Sequence, residues 1–364
     1  MAKASPDFGP CRVREIAPAK PWLEPALVLE NAYLSARIVP GKGGDLTDLV
    51  YLPRQMNVLW KSPWSQPDDF SRQPASDGSQ TAWLESYEGG WQEIFPNGGD
   101  ACHYHGVELG FHGEASLARW NYEITEPGGQ AAEIRLEVRL KRSPFRLERR
   151  LRVEQDRPVL MLRERITNEG GEDLEYMWGH HPAYGAPFLS GACRLDLGSS
   201  SFQTDDRSGG PADPLPSGQR YDWPLSEKSG LDLSQIPPSD PATPRHLLAY
   251  FDNFEAGWYG LTNLELGFGV GLVWPREVFP YAWCWQEMYA SGGFPWYKAA
   301  YVMAVEPFSS FPSQGLLNVR NKTGTQRVLR AGQMVEAELA AVFYESKTGI
   351  TGIEPDGRVV VREK

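Results

Sequence analysis

Five of the six histidines in this chain fall in two short stretches. Imidazole is the side chain best suited to moving protons near neutral pH. His103, His105 and His112 lie in "CHYHGVELGFHGE", His180 and His181 in "GHHPAYG", and His246 stands apart at the head of an apolar run. Proton transfer needs a partner, and the best candidate is Glu306 in "YVMAVEPFSSFP". A carboxylate closing an apolar run is costly unless it is hydrogen-bonded or has a raised pKa. The competing reading is a strand-end glutamate turned to solvent, and the sequence alone does not separate the two. "HYH" permits a different chemistry, with His103 and His105 on one strand face as a metal pair. Alternate histidines facing solvent explain it as well. No HExxH or carboxylate spacing completes a site, so no metal and no cofactor are expected.

His181 precedes Pro182, whose ring fixes its own φ and restricts the preceding residue to extended backbone. If the strand continues, His180 points to the opposite face and is structural. Aromatic residues are abundant, with 13 Trp, 15 Tyr and 15 Phe. Most belong in a core, but flat aromatic faces also pack against the C–H face of a sugar ring. "GGWQEIFPNGG" and "PYAWCWQEM" are the richest segments, which makes Trp91 and Trp285 candidates for lining a cleft. No GxSxG elbow is present, and "GKGG" at 41–44 lacks the spacing and the Ser/Thr of a phosphate loop.

The elements that must position these groups read as short strands. "AEIRLEVRLKR", "FRLERRLRVEQDR" and "VLMLRERITNEGG" alternate with period two, predicting antiparallel strands with one face solvated. "ENAYLSARIVPGKGGDLTDLVYLP" reads as two strands around a glycine turn. Residues 62–100, dense in Trp, Pro and Gly, read as an ordered loop region. The Pro-rich stretch from about 205 to 245 reads as an insertion, because strands resume after it. Regularly spaced short strands without long helices predict an all-β sandwich.

The formal net charge of −11 and the lack of a basic stripe argue against a nucleic-acid partner. Four scattered cysteines form no CxxC pair. No apolar leader and no run of 18 apolar residues occur, so the expectation is a cytoplasmic protein without membrane association.

Taken in order, these motifs resemble the aldose 1-epimerase (galactose mutarotase-like) superfamily. The matching segments are "NAYLSARIVPGKGGDLTDLVY", "GGWQEIFPNGG" with "FHGE", "RITNEGGEDLEYMWGHHPAYG" and "VEPFSSFP". The resemblance implies a large antiparallel β-sandwich of the supersandwich type with few short helices. It implies one domain over residues 30–345, an N-terminal extension (1–29) and a C-terminal tail (346–364). The implied reaction interconverts α and β anomers of a free aldose by ring opening. In it Glu306 is the base at the C1 hydroxyl, His181 the acid at the ring oxygen, and His112 a second histidine near both. Trp91, Asn97, His105, Asp252 and Trp285 would contact the sugar. His181 must then be protonated while Glu306 is ionised, a state that a neighbouring carboxylate favours. Arg119 is the nearest arginine downstream of the "PN" loop. The alternatives are a sugar-phosphate mutarotase and a catalytically silent carbohydrate-binding protein on the same fold.

Overall fold

The computed structural model describes residues 10–18, 24–64, 78–225 and 231–363. They form an almost entirely β structure in which nineteen strands join into one continuous antiparallel sheet. The sheet doubles over itself. One layer runs through neighbouring strands Asn121–Glu126, Ala131–Arg139, Phe145–Glu154, Val159–Asn168, Met334–Glu345 and Phe268–Val273. Burial along Ala131–Arg139 alternates, and the exposed partners are Arg and Glu, as period-two patterning requires.

The second layer runs Cys11–Ile16, Ala26–Glu30, Leu34–Val39, Asp45–Tyr51, Trp91–Ile94, Gly179–Gly185, Tyr301–Phe308 and Tyr281–Met288. The 19-residue strand Arg245–Asn263 links the layers: its first part pairs with Tyr281–Met288 and its last part with Phe268–Val273. Leu27, Leu34 and Ile38 of one layer share a core with Ile134, Leu147 and Leu160 of the other. The far side of the second layer carries a separate cluster that includes Trp60, Trp83, Trp283 and Phe308. Strands Gly179–Gly185 and Tyr301–Phe308 are therefore buried on both faces.

The sheet begins before residue 30. Cys11–Ile16 and Ala26–Glu30, inside the stretch read as an extension, are paired strands of the main sheet. Past residue 345, Ile350–Ile353 and Val359–Val361 form a hairpin that buries Ile350 and Ile353 against Val342 and Tyr344. The α-helices among the described residues are two-turn pieces, Ser79–Glu85 and Leu316–Lys322. No helix among them is long and apolar enough to cross a membrane. The glycine turn at 41–44 lies between Leu34–Val39 and Asp45–Tyr51, with Gly43 and Gly44 at positive φ, where a Cβ at Gly43 would strike Asp45 and the Ser116 carbonyl.

Candidate active site

Four neighbouring strands of the second layer line up one cross-strand row. Gly179 pairs with Phe308 and Ala183 with Ala304, a register that sets His181 opposite Glu306. Gln92 pairs with His181 on one side, and Trp283 pairs with Glu306 on the other. Directly opposed residues on antiparallel strands point to the same face. The row thus faces the aromatic cluster, away from the inter-layer core.

His181 Nε2 and Glu306 Oε1 are 3.7 Å apart. Both residues are buried, at 5% and 2% exposure. Glu306 Oε2, His181 Nδ1 and the Tyr87 hydroxyl have no hydrogen-bond partner among the described residues. A buried polar atom without a partner is destabilising, and such atoms are rare in folded proteins. Three of them border one hollow.

Burial decides the protonation of this pair. Desolvation pushes the His181 imidazole down to about 4 and lifts the Glu306 carboxyl well above the usual carboxylate range. Burial thus favours the neutral form of each group, against the charged pair that the resemblance implies for the reaction.

His112 completes the cluster. Its ring lies 5.9 Å from that of His181, centroid to centroid, and against Trp83 and Phe111. The backbone N–H of Gly99 donates to His112 Nδ1 at 3.2 Å. In the neutral ring Nε2 therefore carries the hydrogen. Burial and the neighbouring His181 hold its pKa well below the ordinary histidine value. His112 is thus a neutral donor.

These three residues line a cleft of about 510 Å³. Trp83, Tyr87, Trp285 and Trp296 form its aromatic wall. Asp205, Arg207, Asp213 and His246 line its other end. Each carboxylate there is engaged. Asp205 Oδ2 accepts from the Tyr250 hydroxyl at 2.5 Å and from Gln314 Nε2 at 2.9 Å. Asp213 Oδ1 meets His246 Nδ1 at 2.7 Å. Arg207 Nη1 donates to Asp100 Oδ2 at 2.5 Å and Nη2 to the Ser313 carbonyl at 2.9 Å. The start of the segment read as an insertion is thereby tied to the loop after Pro96 and forms part of the cleft.

Of the residues singled out from sequence, His181, Glu306, His112 and Trp285 line the cleft. Trp91 does not: its indole donates to His180 Nδ1 at 3.3 Å within the inter-layer core. Asn97 is fully buried and braces loops, with Nδ2 donating to the carbonyls of Asp100 and Gly110 and Oδ1 accepting from Leu316 N. His105 sits in a surface turn at φ 47°, 3.3 Å from Glu172. The strand Cys102–Tyr104 ends before it, so His103 and His105 do not share a strand face. Asp252 is occupied by Arg220 at 2.7 Å and Ser201 at 2.6 Å, away from the cleft. Arg119 ion-pairs with Glu24 at the surface. Among the described residues no group of three or more His, Cys, Asp or Glu side chains is placed to hold a metal ion.

Sequence reasoning missed Trp83, Tyr87, Trp296, Arg207, Asp213 and His246. The first two lie in the aromatic-dense region 62–100, and that density was the available signal. Arg207 and Asp213 had none beyond lying at the start of the Pro-rich stretch.

His180, as expected, serves structure. Its Nε2 lies 2.9 Å from Glu164 Oε2 in the core. Glu164 in turn accepts from Arg149 Nε at 2.7 Å, and Arg149 also pairs with Glu93 and donates to the Gly44 carbonyl at 3.0 Å. Glu93 Oε1 accepts from Trp178 Nε1 at 3.0 Å. This network lies behind the cleft and shares its strands, so it fixes the backbone from which His181 projects.

Residues 25–226 match the family model described as a domain of unknown function, DUF4432. The chain belongs to that family. No curated protein matches the chain. Among solved structures, a protein described as a "putative aldose 1-epimerase" from Klebsiella pneumoniae superposes with a TM-score of 0.69 at 16% identity, over 99% of this chain and 92% of the other. A galactose mutarotase-like protein from Clostridium acetobutylicum gives 0.65 at 14% identity, over 92% and 99%. The Slr1438 protein of Synechocystis gives 0.64 at 15% identity, over 91% and 100%. At these identities the likeness is one of fold: this DUF4432 chain has the galactose mutarotase-like architecture.

Proposed function

We propose that the protein is an aldose 1-epimerase-type isomerase that interconverts the α and β anomers of a free aldose. The observation that carries this reading is the facing pair of Glu306 and His181, each buried and each with an unpartnered polar atom, on an aromatic-walled cleft. Neutral hydroxyls of a sugar suit such a place. They supply hydrogen bonds to the stranded atoms without bringing in charge, while the indole faces take the C–H surface.

In the reaction the pair works with a single shared proton. A sugar hydroxyl donating to Glu306 stabilises the carboxylate, and the proton then resides on His181. Glu306 takes the proton from the C1 hydroxyl as C1=O forms and the bond from C1 to the ring oxygen breaks. His181 delivers its proton to the ring oxygen, and the neutral His112 donates a hydrogen bond to the oxygen where charge develops. Rotation about C1–C2 and the reverse transfers close the other anomer. The pair ends with the proton count it began with, so no cofactor is consumed.

The net charge of −11 favours a free sugar over a phosphorylated one. Polarimetry of freshly dissolved α-aldoses, free and phosphorylated, against an enzyme-free control tests the reading. Acceleration of at least one free aldose is the expected result. Saturable sugar binding with no acceleration would leave a carbohydrate-binding protein instead.

A further inference from the structure

We infer that the cleft receives the reducing end of a neutral oligosaccharide whose following rings lie on an exposed aromatic platform beside it. This inference rests on the proposed activity for the ring held at Glu306, and it names the substrate class of that site.

Three of the four large exposed aromatic side chains among the described residues gather at this point. Trp64, Tyr297 and Phe294 are 55%, 57% and 48% exposed. Trp64 and Tyr297 meet edge to face at 5.7 Å, and the Trp64 indole donates to the Pro295 carbonyl at 2.8 Å. The platform adjoins the cleft through the chain. Trp296, next to Tyr297 in the chain, lines the cleft and lies 5.2 Å from Trp285, which lies 5.7 Å from the His181 ring. Ring contacts therefore run from His181 through Trp285 to Trp296, and the exposed Trp64 and Tyr297 pair follows at the next residue of the chain.

The loop that carries the platform is braced. Tyr289, Tyr297 and Lys298 hold positive φ, a conformation unfavourable for side chains of this size. At the loop's start the Glu287 carboxylate accepts from Ala290 N, Ser291 N and the Ser291 hydroxyl at 2.5–2.9 Å. A fold that maintains strained backbone to keep aromatic rings in water presents those rings to something. Alternating C–H and hydroxyl faces of linked sugars match a row of such rings, since each ring stacks while the hydroxyls stay wet. A cleft of about 510 Å³ also lies in the range that holds drug-sized ligands, beyond the roughly dozen heavy atoms of one hexose. The net charge of −11 favours a neutral glycan.

The test compares anomerisation of monosaccharides with that of reducing di-, tri- and tetrasaccharides in α-1,4, β-1,4 and β-1,3 linkage, in wild type and in the Trp64→Ala/Tyr297→Ala double variant. The expected result is kcat/KM rising about tenfold with chain length in one linkage series, an increase the scale of aromatic contacts supports. The double variant removes that increase and keeps the monosaccharide rate. A flat dependence in every series, or an increase that survives the double substitution, overturns the inference. So does a change in sedimentation from dimer to monomer in the double variant, which would make the platform a contact between copies. If no aldose is anomerised, the proposed activity fails. Tryptophan-fluorescence titration with the tetrasaccharides then decides the platform: binding tighter than for the monosaccharide and lost in the double variant supports it, and absence of binding overturns it.

Discussion

Glu306 and His181 occupy opposite positions on two adjacent antiparallel strands, with Oε1 and Nε2 3.7 Å apart. They stand 125 positions apart in the chain and are brought together by strand pairing, so neither side chain depends on a loop for its aim. That rigidity keeps a carboxyl and an imidazole at the spacing the proposed reaction requires, one for the C1 hydroxyl and one for the ring oxygen. It also keeps them dry, and burial there favours the neutral form of each group.

A broad pH optimum follows from that burial. The working pair carries one proton. Activity falls on the acid side when His181, held at about 4, takes a second, and on the alkaline side when the proton is lost from a pair whose carboxyl is lifted well above its ordinary range. A pH–rate profile corrected for spontaneous mutarotation checks both limbs. Stability responds with opposite signs. Between about 4 and 6.5 unfolded His181 binds more protons than folded, so its contribution is complete above 6.5 and is lost as pH falls toward 4. Glu306 contributes fully below its ordinary 4.5 and loses that contribution as pH rises through its raised folded value.

His112 sits at φ 56°, a left-handed conformation that asparagine tolerates. His112→Asn should therefore fold normally while withdrawing the ring donor from the cleft. Turnover should fall by about 10²–10³, the scale of one lost transition-state donor, with little change in melting temperature. Steady-state polarimetry beside a thermal melt separates these effects.

Arg207 fastens the start of the 205–245 segment to Asp100 and to the Ser313 carbonyl. Arg207→Ala should loosen that wall of the cleft and raise KM by roughly fivefold, the equivalent of one net hydrogen bond, with kcat nearly unchanged. A fall in kcat with KM constant would place Arg207 in the chemistry instead.

Arg149 holds Glu93 and Glu164 in the core behind the cleft. Removing it strands two buried carboxylates. Arg149→Met should lower unfolding stability by about 3–5 kcal/mol, read from urea denaturation. A near-neutral result would mean that the network is replaceable by packing.

Much of the fold was legible because period-two alternation is a local property, and the strands of residues 131–168 show it plainly. Residue type made His181 and Glu306 candidates, and only the order of motifs in the resemblance joined them, since apolar context did not separate a buried Glu306 from one turned to solvent. Trp91 and Asn97 misled for a shared reason. Motif membership marks a loop as important without saying which of its side chains face a ligand, and strand register turned Trp91 into the core. Arg207 and His246 were not readable as cleft residues, because only tertiary packing brings the 205–213 segment and the start of the Arg245–Asn263 strand to the same wall. The pull of burial toward the neutral forms of the pair was not legible, because charge proximity is visible in a proposed contact, whereas desolvation appears only once burial is known.

The most direct measurement compares anomerisation rates of wild type, Glu306→Gln, His181→Ala and the double variant on the fastest aldose of the panel. If the two residues act as one proton-transferring unit, each single substitution lowers kcat by about 10²–10⁴ and the double variant is hardly worse than either alone. Since Glu306 Oε2 has no hydrogen-bond partner among the described residues, Glu306→Gln should melt at or above the wild-type temperature. Wild-type rates in Glu306→Gln, or losses that simply multiply in the double variant, would contradict the account.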